Sequence, residues 1–149
     1  MTYQDIINYR QFYPNFAQGG MPTQAQLLSL AEAGFDQVIN IATFSPGRSL
    51  LGERAIVQSL GMRYHHIPVV WENPRPEQYF QMETLFNANK AGKTFVHCHL
   101  NYRVSVFFYL YRLRNLGAEE RAAWQDMTAI WTPDPVWGAL ILQVMSRQS

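Results

Sequence analysis

The chain has few of the residues that mark secreted, membrane-spanning or nucleic-acid-binding proteins. Only one of its 149 residues is a cysteine, Cys98, so no disulfide can form within the chain, as expected for a reducing compartment. The formal net charge of +1 gives no field that would attract nucleic acid or a membrane surface. The longest apolar stretch, from Val104 to Tyr111, is far shorter than the roughly 20 residues that cross a bilayer. The N-terminal segment MTYQDIINYR has no apolar core flanked by positive charge, which argues against a signal peptide. We therefore expect a cytoplasmic protein with no nucleic-acid or membrane partner; its oligomeric state is left open.

Apolar residues, by contrast, are plentiful enough to fill one sizeable core. They make up 48% of the chain, and its 149 residues fit a single domain, taken as 1–149. Short apolar runs alternate with segments of helical periodicity, which predicts an α/β fold. We expect a single three-layer domain in which helices flank a central, mostly parallel sheet of roughly four or five strands.

The individual elements follow from the same patterns. Strands are predicted at 16–18, 38–42, 64–70 and 94–96. Helices are predicted after Thr23, where Gln26 completes a capping box, and at 52–60, 76–89, from about 102, 118–130 and 135–147. Residues 3–12 show a loose helical pattern.

One stretch, residues 93–112, combines a buried strand, a polar loop and a helix in the sequence KTFVHCHLNYRVSVFFYLYR. The unpaired amides of such a loop and of the first helical turn form a ready site for an anion. Cys98 lies in this loop, where the amides, the helix dipole and the charge of Arg103 favour a thiolate. The loops 43–48 and 71–76 follow other predicted parallel strands, so we expect all three loops to meet at one edge of the sheet.

The loop resembles the active loop of the cysteine-dependent tyrosine and dual-specificity phosphatases. The likeness rests on His97-Cys98-x-x-Asn101-x-Arg103-Val104-Ser105, and it is closest to the small bacterial branch that includes the phosphatase-like domain of beta-lactamase-hydrolase-like proteins. Upstream, GMPT at 20–23, LLSLAEAGFDQVINI at 27–41 and GMRYHHIPV at 61–69 are similar to that branch's pattern. The resemblance implies hydrolysis of a phosphomonoester, such as phosphotyrosine or phosphoserine/threonine, on a small molecule or a phosphoprotein. It implies no cofactor. A metal site built from His97, His99, His65 and His66 would need Cys98, which is expected to point away from His97 and His99, so no metal is expected.

The resemblance also implies roles for individual residues. Cys98 would attack phosphorus and form a phosphocysteine, Arg103 would clamp two phosphoryl oxygens, and Ser105 would donate to the departing thiolate. His97 would support the loop through hydrogen bonds. Phosphate binding is expected of the residues between the cysteine and the helix, namely His99, Leu100, Asn101, Tyr102 and Arg103.

The family's general acid is an aspartate, but this chain has none between Asp36 and Asp126. Glu72 is the only acidic residue in the matching loop and is the candidate for protonating the leaving oxygen. It fits equally well as a solvated loop charge.

The loop departs from the superfamily in length, because four residues rather than five separate Cys98 from Arg103. Either the loop is tighter, or Val104 occupies the arginine position and Arg103 points elsewhere. Asn101 stands where a glycine is usual, and asparagine tolerates a left-handed backbone better than most residues. The short loop leaves two alternatives to a phosphatase: a non-catalytic phosphate-binding module, and a rhodanese-type sulfurtransferase that carries a persulfide on Cys98.

Overall fold

The computed structural model describes residues 2–147, and its centre is a five-stranded sheet of order β1-β2-β5-β3-β4. The strands are β1 (Arg10–Tyr13), β2 (Phe16–Gly19), β3 (Gln37–Asn40), β4 (Arg63–His66) and β5 (Thr94–His97). Only β1 is antiparallel to its neighbour; β2, β5, β3 and β4 run parallel. The expected mostly parallel sheet is confirmed.

Helices cover both faces of this sheet. They are α1 (Gln24–Glu32), α2 (Glu53–Ser59), α3 (Pro76–Ala88), α4 (Tyr102–Asn115), α5 (Glu120–Thr128) and α6 (Pro135–Met145). The capping box predicted at the start of α1 is present: the Thr23 hydroxyl accepts from the Gln26 amide at 3.1 Å, and the Gln26 side chain accepts from the Thr23 amide at 3.0 Å.

The three layers follow from alternation along the strands. Val38 and Phe95 pack with α1 and α2 on one face, whereas Ile39 and Val96 pack with α3, α4, α5 and α6 on the other. Successive side chains of a strand point to opposite faces, so the near-continuous apolar runs seen in the sequence are what a doubly covered sheet requires.

Two predicted elements differ from the structure. The helix suggested for residues 3–12 is wrong: a short 3-10 helix (Tyr3–Asp5) is followed by a turn in which Asn8 has φ 52°, and then by β1. A left-handed residue stops helix propagation. The strand predicted at 64–70 ends at His66; Ile67 and Val69 still donate to Asn40 and Ile41, but the proline between them has no N–H and the ladder does not extend.

No helix among residues 2–147 is long and apolar enough to cross a membrane. The carboxyl ends of β3, β4 and β5 lie at the same edge of the sheet, since these strands pair in parallel register. The three loops singled out in the sequence leave the sheet at this edge.

Candidate active site

A cavity of about 420 Å³ opens at this edge of the sheet. Its walls come from three segments: residues within 43–48 after β3, Trp71 and Glu72 after β4, and residues within 98–103 after β5. The structure therefore brings together Cys98, His99, Leu100, Tyr102, Arg103 and Glu72 from the predicted site.

Cys98 lies directly after β5, lines this cavity, and is 1% exposed. Its amide points toward the carbonyl of Gly19 at 3.4 Å, which ties the start of the loop to the neighbouring strand. A side chain added at Gly20 would meet the His99 carbonyl oxygen at 2.4 Å, so glycine is required where the two segments approach. Cys98 is thus held in place by the sheet and reaches solvent only through the cavity.

Asn101 ends the loop in the left-handed conformation, with φ 69°, as the N-cap of α4. Its side chain turns away from the cavity: the amide donates to the Asn8 carbonyl at 2.8 Å, and the oxygen accepts from Gln18 at 3.2 Å. Asn8 in turn donates to the Leu100 carbonyl at 2.9 Å. Asn8 and Asn101 are the only non-glycine residues with positive φ in the described range. Their two hydrogen bonds hold the loop from the side away from the cavity.

Arg103 is the positive group of the cavity and is 6% exposed. Its Nη1 donates to the Val69 carbonyl at 2.8 Å and lies 3.4 Å from the Thr43 hydroxyl, while Nη2 donates to His99 Nδ1 at 3.1 Å. All three acceptors are neutral. A guanidinium carries five N–H groups, so Nε–H and one Nη2–H remain after these three contacts. Of the two registers left open by the sequence, the structure places Arg103 in the cavity and Val104 in the core.

His97 supports the loop from beneath. Its Nδ1 donates to the Cys98 carbonyl at 3.1 Å, and its Nε2 lies 2.5 Å from Glu53 Oε2 on α2. Burial raises the pKa of Glu53. The charge and hydrogen bond of His97, together with the hydrogen bond from the Tyr64 hydroxyl, lower it by more, so the pKa of Glu53 lies below its usual value. Both ring nitrogens of His97 are thus engaged, which fixes the ring between the loop and α2.

Glu53 is a residue that sequence reasoning missed. Its second oxygen accepts from Asn40 at 3.1 Å and from Tyr64 at 3.2 Å, so the carboxylate is fully hydrogen-bonded although it is 5% exposed. Burial and the Glu53 charge raise the pKa of Tyr64 to about 12, which keeps the phenol a donor. In the sequence Glu53 looks like an ordinary acid in the first turn of a helix, and no pattern there indicates a partner 44 residues away.

An aromatic wall, Trp71, Tyr102 and Trp131, flanks the cavity, and the first two residues line it. Tyr102 and Trp131 stack with ring centroids 5.3 Å apart and planes 5° apart. The Trp137 indole donates to the Trp71 carbonyl at 3.0 Å, which anchors the turn that carries Glu72. Glu72 itself is exposed and makes no hydrogen bond or ion pair within residues 2–147.

Ser105 is not brought into the cavity. Its hydroxyl donates to the Tyr102 carbonyl at 2.7 Å and accepts from the Trp131 indole at 3.0 Å. Two residues along an α-helix correspond to a rotation of roughly 200°, so Ser105 lies on the opposite side of α4 from Arg103. In this conformation its role is to hold the first turn of α4 and the aromatic wall together.

Comparisons with known proteins agree with this architecture. No family model and no curated protein matches the chain. Among solved structures, the provisionally named phosphatase (DUF442) from Shewanella putrefaciens CN-32 is 34% identical, with a TM-score of 0.85, and the match covers 96% of this chain and 94% of that one.

Two more distant structures share the fold. The active form of Tk-PTP is 16% identical with a TM-score of 0.79, covering 94% of this chain and 97% of that one. TpbA from P. aeruginosa, solved in complex with pTyr, is 15% identical with a TM-score of 0.70, covering 95% and 92%. The fold, the loop motif and the identity to the Shewanella protein together place this chain in the DUF442 family of the cysteine-dependent phosphatase superfamily.

Proposed function

We propose that the protein hydrolyses phosphomonoesters through a phosphocysteine on Cys98. The observation that carries the proposal is that one cavity is lined by this lone cysteine and by a buried arginine that pairs with no carboxylate among residues 2–147. A buried cation without an anionic partner is costly unless a ligand supplies the negative charge. A phosphoryl group beside Cys98 supplies it.

In the first step the Cys98 thiolate attacks phosphorus, and the bond from phosphorus to the ester oxygen breaks. Arg103 stabilises the charge on the phosphoryl oxygens with its remaining N–H groups, and the loop and first-turn amides add donors. Glu72, protonated, gives its proton to the departing oxygen. His97 lies one residue away and holds the Cys98 carbonyl from beneath the loop.

In the second step a water molecule attacks phosphorus and the sulfur–phosphorus bond breaks. Glu72, now ionised, takes the proton from this water, and inorganic phosphate leaves with the thiolate restored. Ser105 takes no part in this step, because its hydroxyl is engaged by Tyr102 and Trp131 on the side of α4 opposite to Arg103.

The aromatic wall favours an aryl phosphate as substrate. A phenyl ring entering the cavity can pack against Trp71 and Tyr102 while its phosphate lies at the loop, and such ring contacts contribute roughly 0.5–1.5 kcal/mol beyond area burial. We therefore place phosphotyrosine, in a phosphoprotein or as a small aryl phosphate, ahead of phosphoserine and phosphothreonine.

The test is to trap the intermediate. The protein is mixed with an aryl phosphate, quenched in acid within milliseconds, and digested for mass spectrometry. We expect a phosphoryl adduct on the peptide that contains Cys98, and none in Cys98→Ser. Phosphate should also slow alkylation of Cys98 by iodoacetamide.

Two other outcomes would replace the proposal. Protection of Cys98 by phosphate with no adduct and no turnover would indicate a non-catalytic phosphate-binding module. A persulfide on Cys98 after treatment with thiosulfate, with no phosphoryl adduct, would indicate a sulfurtransferase.

A further inference from the structure

His99 follows the cysteine directly, was expected from the sequence to bind phosphate, and takes no step in the proposed mechanism. It is half-buried, lines the cavity, and lies between Arg103 on α4 and Ser49 in the loop before α2. Both ring nitrogens have partners: Nδ1 is 3.1 Å from Arg103 Nη2, and Nε2 is 3.2 Å from the Ser49 hydroxyl.

The contacts fix the protonation state of the ring. A guanidinium can only donate, so His99 Nδ1 must accept and carries no proton. The proton of the neutral ring is therefore on Nε2, which donates to the Ser49 oxygen. Burial and the charges of Arg103 and Arg48 hold the pKa of His99 at about 4, in agreement with a neutral ring at physiological pH.

Ser49 is itself fixed by the preceding loop. Its hydroxyl oxygen accepts from the Ser45 amide at 2.9 Å, and the amides of Arg48 and Ser49 donate to the Ser45 carbonyl at 3.0 and 2.9 Å. A hydrogen-bonded turn at 45–49 thus holds His99, and His99 holds the guanidinium.

We propose that His99 is a positioning residue that aims the Arg103 guanidinium at the anion. The contacts to Val69 and Thr43 both engage Nη1 and leave Nη2 without an acceptor from the protein, whereas His99 holds Nη2 and so fixes the plane of the guanidinium from its other side. With both of its nitrogens engaged, the ring acts through Arg103 rather than by touching phosphate. The consequence for anion binding rests on geometry alone, and the consequence for turnover rests on the proposed function.

The experiment compares three variants with the wild type. His99→Ala removes the acceptor. His99→Asn keeps a side-chain oxygen close to the position of Nδ1 and is the conservative rescue. His65→Asn is the matched control, because His65 is a half-buried histidine on β4 and does not line the cavity. For each variant we measure protection of Cys98 from iodoacetamide by inorganic phosphate, and kcat and KM with an aryl phosphate.

We expect His99→Ala to weaken phosphate protection and lower kcat/KM by roughly 10-fold to 100-fold, the loss of one hydrogen bond to a charged group. His99→Asn should recover most of this loss, and His65→Asn should match the wild type. Melting temperatures and circular dichroism identify any variant that fails to fold, and His99→Asn then carries the comparison against His65→Asn.

The outcomes separate this inference from the proposed function. Turnover in the wild type with undiminished phosphate protection in His99→Ala would overturn the inference alone. Equal losses in His99→Ala and His99→Asn would overturn it in favour of ring packing. Weakened protection in His99→Ala, rescued by asparagine, in a protein without turnover would support the inference and overturn the proposed function. A wild type that phosphate never protects would overturn both.

Discussion

Two arginines on the same helix have opposite surroundings. Arg114, in the last turn of α4, donates through Nε to Glu83 Oε2 at 2.8 Å, and the two side chains are 12% and 10% exposed. Arg103, in the first turn, contacts a carbonyl, a hydroxyl and an imidazole, all neutral. A cation is favoured at the carboxyl end of a helix and disfavoured at the amino end.

The difference separates a charge that stabilises the fold from one that we propose binds the substrate. Arg114 and Glu83 neutralise each other between α3 and α4, and the hydrogen bond that Arg114 donates to Glu83 raises the pKa of Arg114 above its usual value. Arg103 forms no ion pair within residues 2–147, and its charge lies at the end of the helix that disfavours a cation. Such an arrangement costs stability and is retained where an anion is bound.

Arg103→Lys tests the proposed role of the Arg103 guanidinium most directly. An ammonium keeps the charge but cannot reproduce the two-pronged donor set, so we expect kcat/KM for an aryl phosphate to fall by roughly 100-fold to 1,000-fold. The melting temperature should change little or rise. Steady-state kinetics and thermal unfolding measure both. Wild-type kinetics in the Arg103→Lys variant would show that the guanidinium does not touch the substrate.

The converse substitution is Arg114→Met, which keeps the apolar stem and leaves Glu83 buried without its cation. We expect a loss of about 3 kcal/mol in the free energy of unfolding, with kcat unchanged in the folded protein. Adding Glu83→Gln should recover part of the loss, because the buried charge is then gone. Urea denaturation gives the free energies. A fall in kcat with no loss of stability would contradict the structural role.

The same contrast exists among carboxylates, since Glu83 is paired whereas Glu72 lines the cavity without a partner in the described range. We expect Glu72→Gln to lower turnover of an alkyl phosphate by roughly 100-fold and that of an aryl phosphate by much less, because a good leaving group needs little protonation. Parallel rate measurements on the two substrates decide it. Equal effects would remove Glu72 from the mechanism.

The smallest expected effect is a pH dependence of stability at His99. Burial, Arg103 and Arg48 lower its pKa from 6.5 to about 4 in the folded chain. The unfolded chain therefore binds a proton at His99 more tightly than the folded chain does. The contribution of His99 to the free energy of unfolding is complete above pH 6.5 and is lost as pH falls toward about 4. His99→Asn should flatten the decline in stability between roughly pH 6.5 and 5, measured by urea denaturation. An unchanged slope would show that His99 does not titrate in that window.

The sequence by itself determined the layered fold and the position of the loop. Apolar runs such as 38–42 and 94–96, separated by helical periodicity, leave few arrangements other than a doubly covered parallel sheet. Parallel strands then bring the Cys98 loop, the 43–48 loop and Glu72 to one edge. Local chemistry was readable too: the capping box at Thr23 follows from side chains that bond to nearby backbone amides, and asparagine tolerates the left-handed conformation that Asn101 adopts.

Only the tertiary structure decided which polar groups meet. The approach of Glu53 to His97, of Asn8 to Asn101 and of His99 to Ser49 joins segments 44, 93 and 50 residues apart. The tertiary structure also places Ser105 against Trp131, because the rotation of α4 against its neighbours sets the direction in which the Ser105 side chain points. Periodicity shows which side of an element is buried, but a hydrogen bond depends on placement to within a few tenths of an ångström, and packing of the whole core fixes that placement.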